Sequence, residues 1–249
     1  MAAKRYRIVN SARLRMARPV AKLREGRTDW YRITNRSDGA EIYIYDEIGY
    51  FGTTAKDFVH DLNEIDRDRI ALHLNTPGGE VFDGFAIYEA LRQHRAEITV
   101  YVDALAASIG SVIAMAGDHR IVARQSQMMI HDGMGICVGN AADMAEMINQ
   151  LDRVSDNIAS VYADRAGGTP RQWRDRMKAE TWYSAKEAVE AGLADEVAGN
   201  SSASNSWDLS IYGYAGRGNA PAPELDPVPT IAATWDPSMF RAAVRGALA

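Results

Sequence analysis

Two side chains in this 249-residue chain have the types and the surroundings for nucleophilic chemistry, Ser108 in Ala104-Leu105-Ala106-Ala107-Ser108-Ile109-Gly110-Ser111 and His131 in Met128-Met129-Ile130-His131-Asp132. A serine flanked by Ala and Gly lets a substrate carbonyl come close, and its hydroxyl becomes nucleophilic only beside a base; His131 is the candidate for that base. Peptide hydrolysis through an acyl-enzyme further needs a group that orients the base and N–H donors for the oxyanion. Gly78-Gly79, in Asn75-Thr76-Pro77-Gly78-Gly79, follows a predicted strand and enters a predicted helix, where exposed backbone N–H groups can approach a ligand oxygen. Each feature has a plain alternative: small residues around a serine suit close helix packing, a histidine after three apolar residues suits a core, and Pro-Gly-Gly suits a tight turn.

The elements that must position these residues follow a strand, helix, strand rhythm, which predicts an α/β domain with a parallel sheet. Strands are expected at Glu41–Tyr45, Ile70–Leu74 and Ile98–Val102, and short ones at Arg120–Ala123 and Met128–Ile130. Helices are expected at Thr54–Glu64, where Thr54 and Asp57 have capping-box spacing, at Phe82–Arg95, and from Val112 to Gly117. A long helical pattern runs from Asn140 to Ala166, with Met144, Met147, Ile148, Leu151, Val154, Ile158 and Val161 at helical spacing, and Gly167-Gly168 stops it. Two more helix starts carry capping boxes, Thr169 with Pro170 and Gln172, and Ser184 with Glu187, the latter helix closed by Gly192.

Composition limits the classes. With 47% hydrophobic residues the chain can bury one sizeable core, and its single cysteine, Cys137, excludes an internal disulfide and a cysteine-rich zinc site. His60, His73, His94 and His119 lack ligand-like spacing, and there is no P-loop, so no metal and no cofactor is expected. Apolar runs are too short to span a bilayer and the N-terminus lacks the apolar core of a secretory signal, which predicts a soluble, cytoplasmic protein. The net charge of −5 hides a basic start in which Lys4, Arg5, Arg7, Arg13, Arg15, Arg18, Lys22, Arg24 and Arg27 oppose Glu25. Such an arm suits contact with nucleic acid or an acidic partner, and equally suits a solvated terminus. The expected organisation is a basic arm over 1–38, a protease-like domain over 39–198, a Ser/Pro-rich linker over 199–235, and an amphipathic helix over 236–249.

Four motifs in order resemble the proteolytic subunit of the Clp protease, within the Clp/crotonase superfamily. Asn75-Thr76-Pro77-Gly78-Gly79 is similar to its Asn-Ser-Pro-Gly-Gly loop, Ala106-Ala107-Ser108-Ile109-Gly110 to its nucleophile motif, and Met129-Ile130-His131 to its Met-Ile-His; Tyr183 to Asp195 resembles its closing Ser-Ala-x-Glu-Ala-x-x-x-Gly-Leu-x-Asp segment. The resemblance implies a spiral of ββα units with a protruding handle helix beginning near Asn140, and a homo-oligomer, with subunits joined in a ring. It implies Ser108 as nucleophile, His131 as general base and then acid, and Gly79 and Ile109 as backbone N–H donors of the oxyanion hole. The family's aspartate aligns with Glu180, which is then the third member of the triad; Asp156, Asp164 and Asp175 are alternatives.

The basic arm, the Ala179-Glu180-Thr181-Trp182-Tyr183-Ser184-Ala185 variant and the Pro-rich tail resemble the Clp-related head maturation proteases of tailed bacteriophages, which implies scaffold and major capsid protein as substrates during procapsid assembly. The segment from Gly199 to Thr230 is then an expected site of self-trimming, and the terminal helix a docking element for capsid or scaffold. Two rival readings stand beside it, a catalytically silent assembly scaffold of the same fold and a crotonase-type acyl-CoA enzyme. A signal-peptide-peptidase-like Ser-Lys enzyme fits less well, since that class carries a membrane anchor and Met-Ile-His points to histidine.

Overall fold

A computed structural model describes residues 30–49, 54–199 and 214 of the chain. Among them the order is β1 (Tyr31–Asn35), β2 (Ala40–Ile44), α1 (Ala55–Asn63), β3 (Arg69–Thr76), α2 (Val81–Gln93), β4 (Glu97–Ala107), α3 (Ile109–Ala114), β5 (His119–Val122), β6 (Gln127–Ile130), α4 (Ala141–Ala166), α5 (Pro170–Lys178), β7 (Thr181–Ser184), α6 (Ala185–Glu190) and β8 (Glu196–Val197). The described strands form a single sheet in the order β1-β2-β3-β4-β5-β8, with β6 joined to both β4 and β7.

Strand alternation builds the core. Ile42 and Ile44, Leu72 and Leu74, and Val100 and Val102 point to one face and are buried, each worth roughly 1.5–3 kcal/mol of apolar burial. Tyr43, His73 and Tyr101 occupy the opposite face and stack at 4.7 and 4.9 Å between ring centroids. β2, β3, β4 and β5 run parallel, and α2 crosses between β3 and β4 as a parallel connection requires.

β4 divides its partners along its length. Thr99 to Val102 pairs with β5, whereas Leu105 to Ala107 pairs with β6. The strand thus runs five residues past the expected Val102, through Asp103 and the small residues, and ends directly at Ser108. Ser108 N–H donates to Met129 O at 2.9 Å, so the strand carrying the nucleophile is tied to the strand leading into the histidine.

The expected capping boxes form at Thr54/Asp57, Thr169/Gln172 and Ser184/Glu187, and Asn140 with Asp143 adds another at the start of α4. Three observations differ from the sequence expectation. β1 belongs to the sheet although the basic arm was expected to run to residue 38, because Arg36 and Gly39 close a turn and Trp30 is buried against Phe58. β7 lies between α5 and α6, where four residues with no alternation give no strand signal. In α4, Met147, Val154 and Ile158 are buried but Met144 and Ile148 are 41% and 60% exposed, so the first turns of the long helix touch the core through Met147 and leave their other apolar side chains open. The expected linker beyond 199 and the terminal helix over 236–249 lie outside the described residues, apart from Tyr214.

Candidate active site

Ser108 caps α3 with φ 55° and ψ −129°, a conformation that costs a non-glycine residue energy and is kept only where neighbours over-determine it. The over-determination comes from close packing of small residues. A Cβ on Gly84 would lie 2.1 Å from Ile109 Cγ1, and one on Gly110 would lie 2.5 Å from Thr76 Cγ2. The Gly84 backbone of α2 thus packs on the Ile109 side chain and the Gly110 backbone of α3 on that of Thr76, holding the sharp strand-to-helix turn that presents the Ser108 hydroxyl.

His131 follows β6 directly, and its Nε2 lies 2.7 Å from Ser108 Oγ. With its proton on Nδ1, the ring accepts from the serine hydroxyl, the relation a nucleophile needs with its base. Burial pushes the His131 imidazole down from 6.5 to about 4. At neutral pH it is uncharged and free to take a proton.

The glycine pair faces this couple. Gly78 and Gly79 have φ of 101° and 156°. A Cβ on Gly78 would sit 2.6 Å from Ser108 Cβ, and one on Gly79 would sit 2.1 Å from Ile48 O, so both positions demand glycine on steric grounds. Ile48 N–H donates to Gly78 O at 2.8 Å and Glu80 N–H to Ile48 O at 3.0 Å, making a parallel bridge at Gly79. In such a bridge the flanking residues make the bonds, and the Gly79 N–H points to the other side. Ile109, the first residue of α3, contributes an N–H from the set a helix start leaves without intrahelical partners. Gly79, Val81, Ser108, Ile109, His131 and Met134 line one pocket together with Asp132, Gly133, Ile158 and Tyr162.

Glu180 and His131 each stand one residue beyond the same end of the β6–β7 ladder. β6 and β7 pair antiparallel up to Ile130 and Thr181, and one step further the two chains reach His131 and Glu180. Glu180 has φ 50°, so the chain bends sharply there, and its Oε1 accepts from the Trp182 indole N–H at 3.2 Å. The alternatives sit elsewhere: Asp156 pairs with Arg174, and Asp164 and Asp175 belong to α4 and α5.

Several residues around the pocket carried no sequence signal. Arg174 is 9% exposed and reaches Asp132 Oδ2 at 3.1 Å, Asp152 Oδ1 at 3.2 Å and Asp156 Oδ1, clamping the residue after His131 to α4. Ser111 and Tyr162 hydroxyls share a 2.8 Å hydrogen bond below α3. Tyr214 donates from Oη to Pro77 O and lies with its ring 5.5 Å from that of His131. Only residues far apart in the chain make these contacts, so no local pattern announces them.

His73 Nδ1 contacts Asp103 Oδ2 at 2.8 Å, and His94 Nδ1 accepts from Ala96 N–H at 3.1 Å. Among the described residues no cluster of three or more His, Cys, Asp or Glu could hold a metal, and no helix is long and apolar enough to cross a membrane.

A family model described as Clp protease matches residues 25–201. ATP-dependent Clp protease proteolytic subunits are similar over much of that stretch. The one from Chlorella vulgaris is 33% identical over 129 residues, 51% of this chain and 64% of that protein, just under two thirds of its length. The one from Bacteroides fragilis is 29% identical over 166 residues, 62% of this chain and 80% of the relative. The Deinococcus radiodurans protein is 32% identical over 130 residues, again covering 64% of its length. The chain belongs to the Clp protease family, a family of serine-type peptidases.

Proposed function

We propose that this chain is a serine endopeptidase that cleaves peptide bonds through an acyl-enzyme on Ser108, with His131 as base and then acid, Gly79 and Ile109 as oxyanion donors, and Glu180 as the carboxylate that orients His131. The observation that carries the reading is the 2.7 Å hydrogen bond between Ser108 Oγ and an uncharged His131. Attack of Oγ on the scissile carbonyl passes the hydroxyl proton to Nε2, and the resulting oxyanion draws on the Gly79 and Ile109 N–H groups. Each such donor is worth about 3 kcal/mol in the transition state. The imidazolium then hands its proton to the leaving amine, and a water activated by the same ring releases the acyl group.

Within this family we assign the chain to the head maturation enzymes of tailed bacteriophages, acting in the host cytoplasm or procapsid on scaffold and major capsid protein, as a ring of identical subunits. The basic start, the Glu180-Thr181-Trp182-Tyr183 variant and the Pro-rich tail support this branch. Fluorophosphonate labelling of the full chain tests the chemistry: wild type takes up label and Ser108→Ala does not. Co-expression with a candidate capsid protein tests the role, with shortening of that protein, and trimming of the chain between 199 and 230, expected only when Ser108 is intact. An uncleaved capsid protein beside an actively labelling enzyme would remove the phage assignment while leaving the peptidase.

A further inference from the structure

We propose that Tyr214 is a positioning residue of this active site, its ring seating the His131 imidazole while its hydroxyl holds the Pro77 carbonyl, so that base and oxyanion loop share one support. The inference rests on the Ser108–His131 reading above and adds to it a residue from beyond 201, where the match to the family ends.

Tyr214 is 8% exposed and sits in a small apolar cluster with Leu105, Ala107, Met129 and Trp182. Its ring meets that of His131 at 66° and 5.5 Å, and that of Trp182 at 74° and 6.0 Å, both edge-to-face arrangements that favour one ring orientation over others. Its Oη donates to Pro77 O. Pro77 precedes Gly78, whose carbonyl accepts from Ile48, so the loop carrying the Gly79 donor is pinned from two sides, by Ile48 and by Tyr214. One side chain thus touches the base, the loop facing the nucleophile, and the tryptophan that bonds Glu180.

The ring also covers one side of the His131 imidazole. The other titratable groups around the imidazole are Asp132, bound by Arg174, Tyr162 in the same pocket, and Glu180 just past the end of the β6–β7 ladder. Removal of Tyr214 leaves those groups in place and wets the imidazole, which returns its titration toward the ordinary value of 6.5.

The test compares full-length wild type, Tyr214→Phe and Tyr214→Ala. The readouts are the pH dependence of fluorophosphonate labelling at Ser108, kcat and KM on a short fluorogenic peptide, and thermal unfolding. Tyr214→Ala should lower kcat roughly tenfold or more with KM little changed, as expected for misplaced catalytic groups, and move the acidic midpoint of labelling upward. Tyr214→Phe, which keeps the ring, should retain the wild-type midpoint and lose several-fold in kcat through the freed Pro77 loop. A merely structural role would lower the melting temperature without moving the midpoint. Wild-type kcat in Tyr214→Phe, or faster labelling in Tyr214→Ala, overturns the proposal, the second because the residue would then obstruct the site. Wild type that neither labels nor turns over overturns the Ser108–His131 reading itself, and the inference with it.

Discussion

The Trp182 indole N–H donates to Glu180 Oε1 at 3.2 Å, one residue before the strand position, Thr181, that pairs with Ile130. The carboxylate expected to orient the base thus accepts from a tryptophan two residues away. Glutamate carries one more methylene than the aspartate usual in the family, and the sharp bend at Glu180 sets where that longer side chain starts.

Glu180→Gln should lower kcat by roughly 10²–10⁴-fold with little change in KM, because the amide cannot stabilise the imidazolium that forms during attack. Trp182→Phe should keep kcat at or above the wild-type level and raise the acidic midpoint of the rate profile, since a carboxylate released toward His131 favours its charged form. Steady-state kinetics between pH 4 and 8 decide both. An unimpaired Glu180→Gln enzyme would remove this residue from the triad.

Gly79→Ala places a Cβ 2.1 Å from Ile48 O and so must break the bridge that aims the Gly79 N–H. The expected cost is about 1–3 kcal/mol of stability and roughly 10²–10³-fold in kcat. Gly199→Ala, with none of the described residues within 4 Å of the added methyl, is the matched control and should change neither. Denaturant unfolding and peptide turnover on both variants make the comparison.

The buried imidazole links stability to pH. An unfolded chain protonates its histidine near 6.5, whereas burial lowers His131 to about 4 in the fold. Between these values the unfolded state binds more protons, so stability is full above 6.5 and falls as pH drops toward 4, by about 3 kcal/mol over the window. Urea unfolding at pH 7.5, 5.5 and 4.5 should show this decline in wild type and a smaller one in His131→Asn. Equal declines would assign the loss to other groups.

Arg174 joins α5 to the residue after the base. Its guanidinium faces Asp132, Asp152 and Asp156, and burial already pushes the Asp132 carboxyl up. Arg174→Met should cost about 1–3 kcal/mol, because it leaves the half-buried Asp132 without its cation. Arg174→Met with Asp132→Asn should recover much of that loss. A double variant no more stable than the single one would place the cost elsewhere, and thermal melts of the three proteins measure it.

Spacing and residue type by themselves determined much of this protein. Capping pairs at Thr54/Asp57, Thr169/Gln172 and Ser184/Glu187, the stop at Gly167-Gly168 and the alternation in β3 and β4 are local, each set by contacts within a few residues, so the elements that carry Ser108, His131 and Gly78-Gly79 could be read in order. Tertiary structure decided what those elements do together. β4 shares its length between β5 and β6, β7 adds a strand that hydropathy does not mark, and α4 buries Met147 while exposing Met144 and Ile148. Above all it decided where distant side chains meet: His131 on Ser108, Arg174 against Asp132, and Tyr214 on Pro77. Such meetings are fixed by chain topology and close packing over separations of tens of residues, a distance at which neighbouring residue types carry no record of the partner.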